Sequence, residues 1–153
     1  MGFTLMSPAF AEGGTIPLKY TRMGENLCPP LKWTGAPEGT LSFALVIEDP
    51  DAPRGTFRHF GLSNIPSDWT ELPASADTAP DHGSRFHKND FGNVRYDGPQ
   101  PPPGSGPHRY VFRLAALDVA RLGLPDAVDA ASMWAAARKH SVAEATLTGL
   151  YER

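Results

Sequence analysis

Apolar and polar residues alternate with the period of a β-strand in several short stretches of this chain, and with the period of a helix in one. Arg109 to Leu117 is the clearest strand: Tyr110, Phe112 and Leu114 fall on one face, Val111 and Arg113 on the other. Leu41 to Ile47 is apolar at both parities after Ser42, the pattern of a strand covered on both faces. His59 to Ile65 alternates less cleanly and stops at Pro66. Ala145 to Tyr151 brings Ala145, Leu147, Gly149 and Tyr151 into phase. Thr15 to Tyr20 is a further strand-like run, and Pro17 within it points to a sheet edge. The helical pattern runs from Asp126 to Lys139, with Pro125 and Asp126 at its start and Arg138, Lys139 and His140 at its end. Its predicted apolar stripe is Val128, Ala131, Trp134 and Ala135. Strands first and a helix last read as a β-sandwich or barrel with a late helical cover.

Composition narrows the function. The chain has 153 residues, which suits one domain spanning 1–153, and its formal charge is only −3 with both signs interspersed. With no Lys/Arg stripe, nucleic acid is not an expected partner. The longest unbroken apolar run, Phe43 to Ile47, is far too short for a transmembrane segment, and the N-terminus does not read as a signal peptide, so the expected location is cytoplasmic. The single cysteine, Cys28, cannot support a disulfide framework or a Cys-based zinc site. Between Ile65 and Arg109 periodicity is weak and glycine and proline cluster, which suggests a stiff, shaped wall.

The chemistry concentrates at strand ends. Asp49 and Asp51 stand in Asp49-Pro50-Asp51-Ala52-Pro53, directly behind the most apolar strand. His59 and His108 each open a strand, and Tyr110 shares the strand face of His108. An imidazolium donates two N–H bonds and carries charge near neutral pH, which suits an oxyanion, and an aspartate beside it would orient the ring. Gly98, Gly104 and Gly106 would let backbone approach a ligand closely. No nucleophile with an evident partner base is seen: Ser105 lies in Gly-Ser-Gly but lacks a nucleophile elbow, so these residues suit binding better than turnover. The competing reading is a metal-dependent hydrolase or oxygenase, with His59, His108 and Asp49 as a facial triad of ligands.

Taken together, these segments resemble the phosphatidylethanolamine-binding protein family, also called Raf-kinase-inhibitor-like proteins, in its small bacterial form. The similarity rests on Asn26 with Pro29-Pro30-Leu31-Lys32-Trp33, Asp49-Pro50-Asp51-Ala52-Pro53, Arg58-His59-Phe60, Asn64-Ile65-Pro66 and Asn89-Asp90-Phe91-Gly92. It continues through Tyr96, Gly98-Pro99, Pro101-Pro102, Gly104, His108-Arg109-Tyr110-Val111-Phe112 and the closing Gly149-Leu150-Tyr151-Glu152-Arg153. The resemblance implies a mainly β fold, a Greek-key β-sandwich with a C-terminal helix covering one end. It implies a pocket for phosphate-like groups, phospholipid head groups among them, and no cofactor. Asp49, Asp51, Ala52 and Pro53 would supply one wall, His59 another, and Gly98, Pro101, His108 and Tyr110 the rest. Gln100 stands where bacterial relatives usually have cysteine, and could contact the ligand by hydrogen bonds. The resemblance further implies a homodimer and a kinase- or protease-regulatory role, with Ser67 to Lys88 the surface for a protein partner.

Overall fold

The computed structural model describes residues 2–74, 83–125 and 127–153. The expected sandwich with its C-terminal helix is present as two antiparallel sheets. The smaller contains β1 (Thr4–Met6), β2 (Leu31–Thr34) and β5 (Glu71–Leu72), in the order β1-β2-β5. The larger is ordered β6-β4-β3-β7-β8, from β3 (Ser42–Asp49), β4 (Phe57–Pro66), β6 (Arg85–His87), β7 (His108–Leu117) and β8 (Ser141–Tyr151). Helix α1 (Ala130–Arg138) precedes β8.

β3 is buried along its whole length, as its sequence requires. Phe43, Leu45 and Ile47 face the core between the sheets, where they meet Trp33, Phe112, Leu114 and Leu147. Ala44 and Val46 face outward and are covered by Met133, Trp134 and Ala137 of α1, with Ala115 and Leu117 of β7 beside them. The helix therefore lies on the outer face of the larger sheet. Beyond its apolar contact an ion-pair row crosses the same sheet: Glu48 binds Arg58 at 3.0 Å and Arg113 at 2.8 Å, and Glu144 binds Arg138 at 3.1 Å. Charged side chains close the part of that face which α1 leaves uncovered.

Two elements depart from expectation. Thr15 to Tyr20 is not a strand: Thr15 makes an isolated bridge to Leu150, and Leu18–Tyr20 forms a short 3-10 turn after Pro17. The helix begins at Ala130, with Asp129 as its cap accepting from Ser132 N at 2.8 Å. Its expected start, Asp126, lies outside the described residues. The buried side is Ala130, Met133, Trp134 and Ala137, so Ala135 of the expected stripe faces solvent. The proposed partner surface, Ser67 to Lys88, contains β5 and β6, and residues 75–82 within it lie outside the described residues.

Gly61 of β4 sets how closely α1 approaches. A Cβ there would stand 2.8 Å from Ala130 Cβ and 3.1 Å from Ala130 Cα. Gly61→Ala is expected to push the helix off the sheet and cost about 1–3 kcal/mol. Urea unfolding should show a lower midpoint with an unchanged slope; an unchanged midpoint would mean that the helix is free to shift without loss.

Candidate functional site

The C-terminal end of β3 and the N-terminal ends of β4 and β7 meet at one end of the larger sheet. Asp49 is the last residue of β3 and His108 the first of β7. His108 Nδ1 donates to Asp49 Oδ2 at 2.8 Å, with both side chains buried. The other oxygen, Asp49 Oδ1, accepts from Asp51 N at 2.7 Å, which turns the chain into the proline-stiffened loop. Behind this pair lies a cavity of about 190 Å³. Asp49, Ala52, Pro53, His59, Gln100, Pro101, His108 and Tyr110 all line it. Residues distant in sequence are thus brought together because three neighbouring strands end on the same side.

Two expected members sit elsewhere. Asp51 does not line the cavity: its carboxylate accepts from Arg109 N at 2.9 Å, from Nε at 3.0 Å and from Nη2 at 2.8 Å. That guanidinium holds the Asp51 carboxyl down at about 2, and the pair braces the loop from outside. Gly98 is also not at the cavity surface. Its N–H donates to Asn26 Oδ1 at 2.7 Å, and a Cβ would stand 2.2 Å from the Tyr20 carbonyl oxygen. Close packing of two backbone segments, not approach of a ligand, demands glycine here.

The remaining walls are aromatic. Phe57 and Phe91 complete the lining with Pro102. Phe57 and Phe91 meet edge to face at 4.7 Å, and the His59 ring lies 5.3 Å from Tyr110 and 5.5 Å from Phe91. Phe91 is placed by Asn89, whose Oδ1 accepts from Phe91 N and Asn93 N. Arg22 stacks on that ring at 4.1 Å and donates to Gln100 Oε1 at 2.8 Å. With its oxygen so engaged, Gln100 has its amide N–H groups left to offer.

Asp97 is the hub that sequence reading missed. Buried at 3% exposure, it accepts from Asn26, Asn89 and Asn93 side chains at 2.8–2.9 Å. Burial alone would raise its pKa, but these three donors, with Arg22 nearby, outweigh it and hold the carboxyl low. Its backbone carbonyl accepts from His59 Nδ1 at 2.8 Å, which fixes that tautomer and leaves Nε2 as the ring's remaining polar atom. A cluster of asparagines around Tyr96, Gly98 and Pro99 was the available signal, and it carries no period.

The electrostatics differ from expectation in one respect. Burial pushes the His59 pKa below the ordinary histidine value, although the Asp97 carbonyl and the Asp49 charge pull the other way. Burial thus favours the neutral ring, with Nε2 left as an acceptor. Tyr110 is the complement: its hydroxyl is buried with no partner among the described residues, and burial raises its pKa. Among the described residues no three His, Cys, Asp or Glu side chains stand where they could hold a metal ion together. Asp49 is already committed through both oxygens, so the facial triad of His59, His108 and Asp49 is not formed. Cys28 is buried, and burial raises its thiol pKa, which fits a packing role. One further expectation fails: Ser105 does have a base beside it, because its Oγ lies 3.2 Å from His108 Nε2.

Comparison with known proteins agrees with this architecture. The phosphatidylethanolamine-binding protein family matches residues 6–152. The chain belongs to the phosphatidylethanolamine-binding protein family. It is 41% identical to a UPF0098 protein of Aquifex aeolicus over 97% of this chain and 88% of that one. A UPF0098 protein of Methanothermobacter thermautotrophicus is 44% identical over 97% and 98% of the two chains. A putative lipoprotein of Mycobacterium tuberculosis is 36% identical over 97% of this chain and 72% of its own. The crystal structure of Escherichia coli YbcL, described as a new member of the mammalian family, superposes with a TM-score of 0.94 at 31% identity, covering 100% of this chain and 99% of that one. Membership makes this a ligand-binding protein in the general sense. No helix among the described residues is long and apolar enough to cross a membrane.

The buried histidines set a pH dependence of stability. His59 and His87 both have pKa values lowered first by burial. His87 donates through Nδ1 to the Val128 carbonyl at 2.8 Å and meets Ser63 Oγ at 2.7 Å. Each binds its proton less readily folded than unfolded, so the unfolded chain gains protons first as pH falls. Stability should be full above about pH 7 and should drop as pH falls below about 6.5. Thermal melts at about pH 7.5 and about pH 5.5, without ligand, should show the lower melting temperature in acid; the reverse order would mean that these rings are charged in the folded state.

Proposed function

We propose that the cavity binds a small phosphate-like anion, of the kind carried by a phospholipid head group. The observation that carries this reading is the Tyr110 hydroxyl, a buried donor at the cavity with no partner among the described residues. Leaving such a group unpaired costs about 1–3 kcal/mol, so a ligand oxygen is its natural complement. Gln100, which also lines the cavity, offers amide N–H groups, and Arg22, stacked on Phe91, adds positive charge near it. His59 contributes in a proton-dependent way. Its neutral Nε2 accepts from the P–O–H of a phosphate monoanion, and on protonation it donates to the dianion. In either form the complex holds one proton more than free protein and dianion. Neither Asp49 nor Asp51 has a free oxygen set aside for an ammonium group, so the reading rests on the phosphate end alone.

Calorimetric titration with inorganic phosphate should therefore give tighter binding at about pH 6 than at about pH 8. Binding that is equal at both would mean that no proton accompanies the anion. Tyr110→Phe separates ligand contact from structure. It removes a neutral donor, so affinity should fall by about 0.5–1.5 kcal/mol, on the order of 3- to 10-fold. It also removes an unsatisfied buried hydroxyl, so the ligand-free melting temperature should hold or rise. Undiminished phosphate affinity in Tyr110→Phe would overturn the proposed contact.

A further inference from the structure

We propose that Ser105, His108 and Asp49 form a hydrolytic triad that cleaves small carboxylic esters at the edge of this cavity. Ser105 Oγ lies 3.2 Å from His108 Nε2, and His108 Nδ1 lies 2.8 Å from Asp49 Oδ2. Nucleophile, base and orienting carboxylate are thus connected in the order acyl transfer needs. The carboxylate and the imidazole are buried, whereas the serine is exposed and open to substrate. No sequence motif announces the arrangement, because the serine lies in a loop three residues before the histidine that opens β7, and the aspartate arrives from another strand.

The loop holds Ser105 in place. It is flanked by Gly104 at φ +78° and Gly106 at φ +82°, a left-handed backbone that other residues rarely adopt. Gly104 N donates to the Arg153 carbonyl at 3.1 Å and Ser105 N to the Pro102 carbonyl at 3.2 Å. The Ser105 hydroxyl donates to the Pro102 carbonyl oxygen at 2.8 Å, so its proton has to turn from that carbonyl to Nε2 before attack. The neutral tautomer of His108 favours that turn. Asp49 accepts the Nδ1 proton, so a neutral His108 presents a bare lone pair at Nε2. With the Ser105 proton turned to Pro102, that lone pair would face an oxygen lone pair at 3.2 Å. Donation from Ser105 to Nε2 removes this repulsion and sets the hydroxyl for deprotonation.

In the reaction Ser105 Oγ bonds to the ester carbonyl carbon while its proton passes to His108 Nε2. Asp49 keeps the Nδ1 proton and balances the imidazolium charge. The acyl carbon–oxygen bond then breaks, and the leaving alcohol takes the proton from Nε2. Water repeats the sequence, releasing a carboxylic acid and restoring Ser105. Tyr110 lines the cavity beside His108, and its hydroxyl, without a partner among the described residues, would serve as oxyanion donor once the bound ester reaches it. Phe57, Phe91 and Pro101 line about 190 Å³ of space, which suits a short acyl chain. This activity does not depend on phosphate being the cavity's ligand.

The test uses the whole chain with a fluorophosphonate probe and p-nitrophenyl butyrate. Mass spectrometry of the labelled wild-type protein should find one adduct, on the peptide containing Ser105. Ser105→Ala should lose the adduct and the hydrolysis above buffer. Asp49→Asn keeps the shape but spoils the tautomer, and should lower hydrolysis by at least about 100-fold. An adduct on any other residue, no adduct on folded wild-type protein, or equal hydrolysis by wild type and Ser105→Ala would each overturn the proposal. The adduct site is read on wild-type protein, so the outcome is decisive even where a variant fails to fold.

Discussion

The buried bond between Asp49 and His108 is the constraint on which this end of the molecule depends. It ties the last residue of β3 to the first of β7, and these strands lie side by side at the centre of the larger sheet. A carboxylate this far from water is tolerated only because both oxygens are engaged, one by the imidazole and one by the Asp51 backbone. Removing either partner of such a pair leaves an uncompensated buried group, at a cost on the order of 3–5 kcal/mol. The bond also decides the chemistry. It spends the Nδ1 proton of His108 inward, so all that the ring can do elsewhere it does through Nε2.

The same logic recurs across the site with a different partner. His59 spends its Nδ1 proton on the Asp97 carbonyl, and Asp97 is held by three asparagines. Both imidazoles are thereby aligned by their inner nitrogen, and neither can swing to satisfy a ligand. Preorganisation of this kind lowers the entropic cost of capturing a small molecule. Between the rings the walls are aromatic and carry little formal charge, with Arg109 turned away onto Asp51 and Arg22 stacked on Phe91. Recognition in such a place rests on a few directed hydrogen bonds in a low-dielectric setting, where each counts for more than in water.

How much of this could be read from the chain follows from where period survives. β7 and β8 are long and carry a clear alternation, and β3 is apolar at both parities, so their faces were legible, including the double burial of β3. β1, β5 and β6 have two or three residues each, too few for any alternation to register, and β2 has four behind Pro29-Pro30. Thr15 to Tyr20 looked like a strand because its apolar residues are spaced for one, but Pro17 and the turn at Leu18–Tyr20 limit its pairing to the stretch at Thr15. At the site, the residues carried on strand ends were legible, since a strand fixes where its end points. Asp97 and the pairing of Ser105 with His108 were not. Their positions depend on loop geometry and hydrogen bonds between segments, which leave no periodic trace.

Gln100 shows how a single position links these levels. It sits on an exposed loop, yet it is not free to move, because Arg22 holds its oxygen and the same guanidinium stacks on Phe91. A cysteine in that place would offer a weak donor and nothing for Arg22 to grip. The guanidinium would then keep its ring contact and its ion pair with Asp97 at 3.7 Å, and lose its hydrogen bond at the cavity rim. One substitution therefore sets both the polarity of the wall and the stiffness of the aromatic side facing it. The deepest residues of this cavity are held by the strands, whereas its rim is shaped by the pairing of two loops.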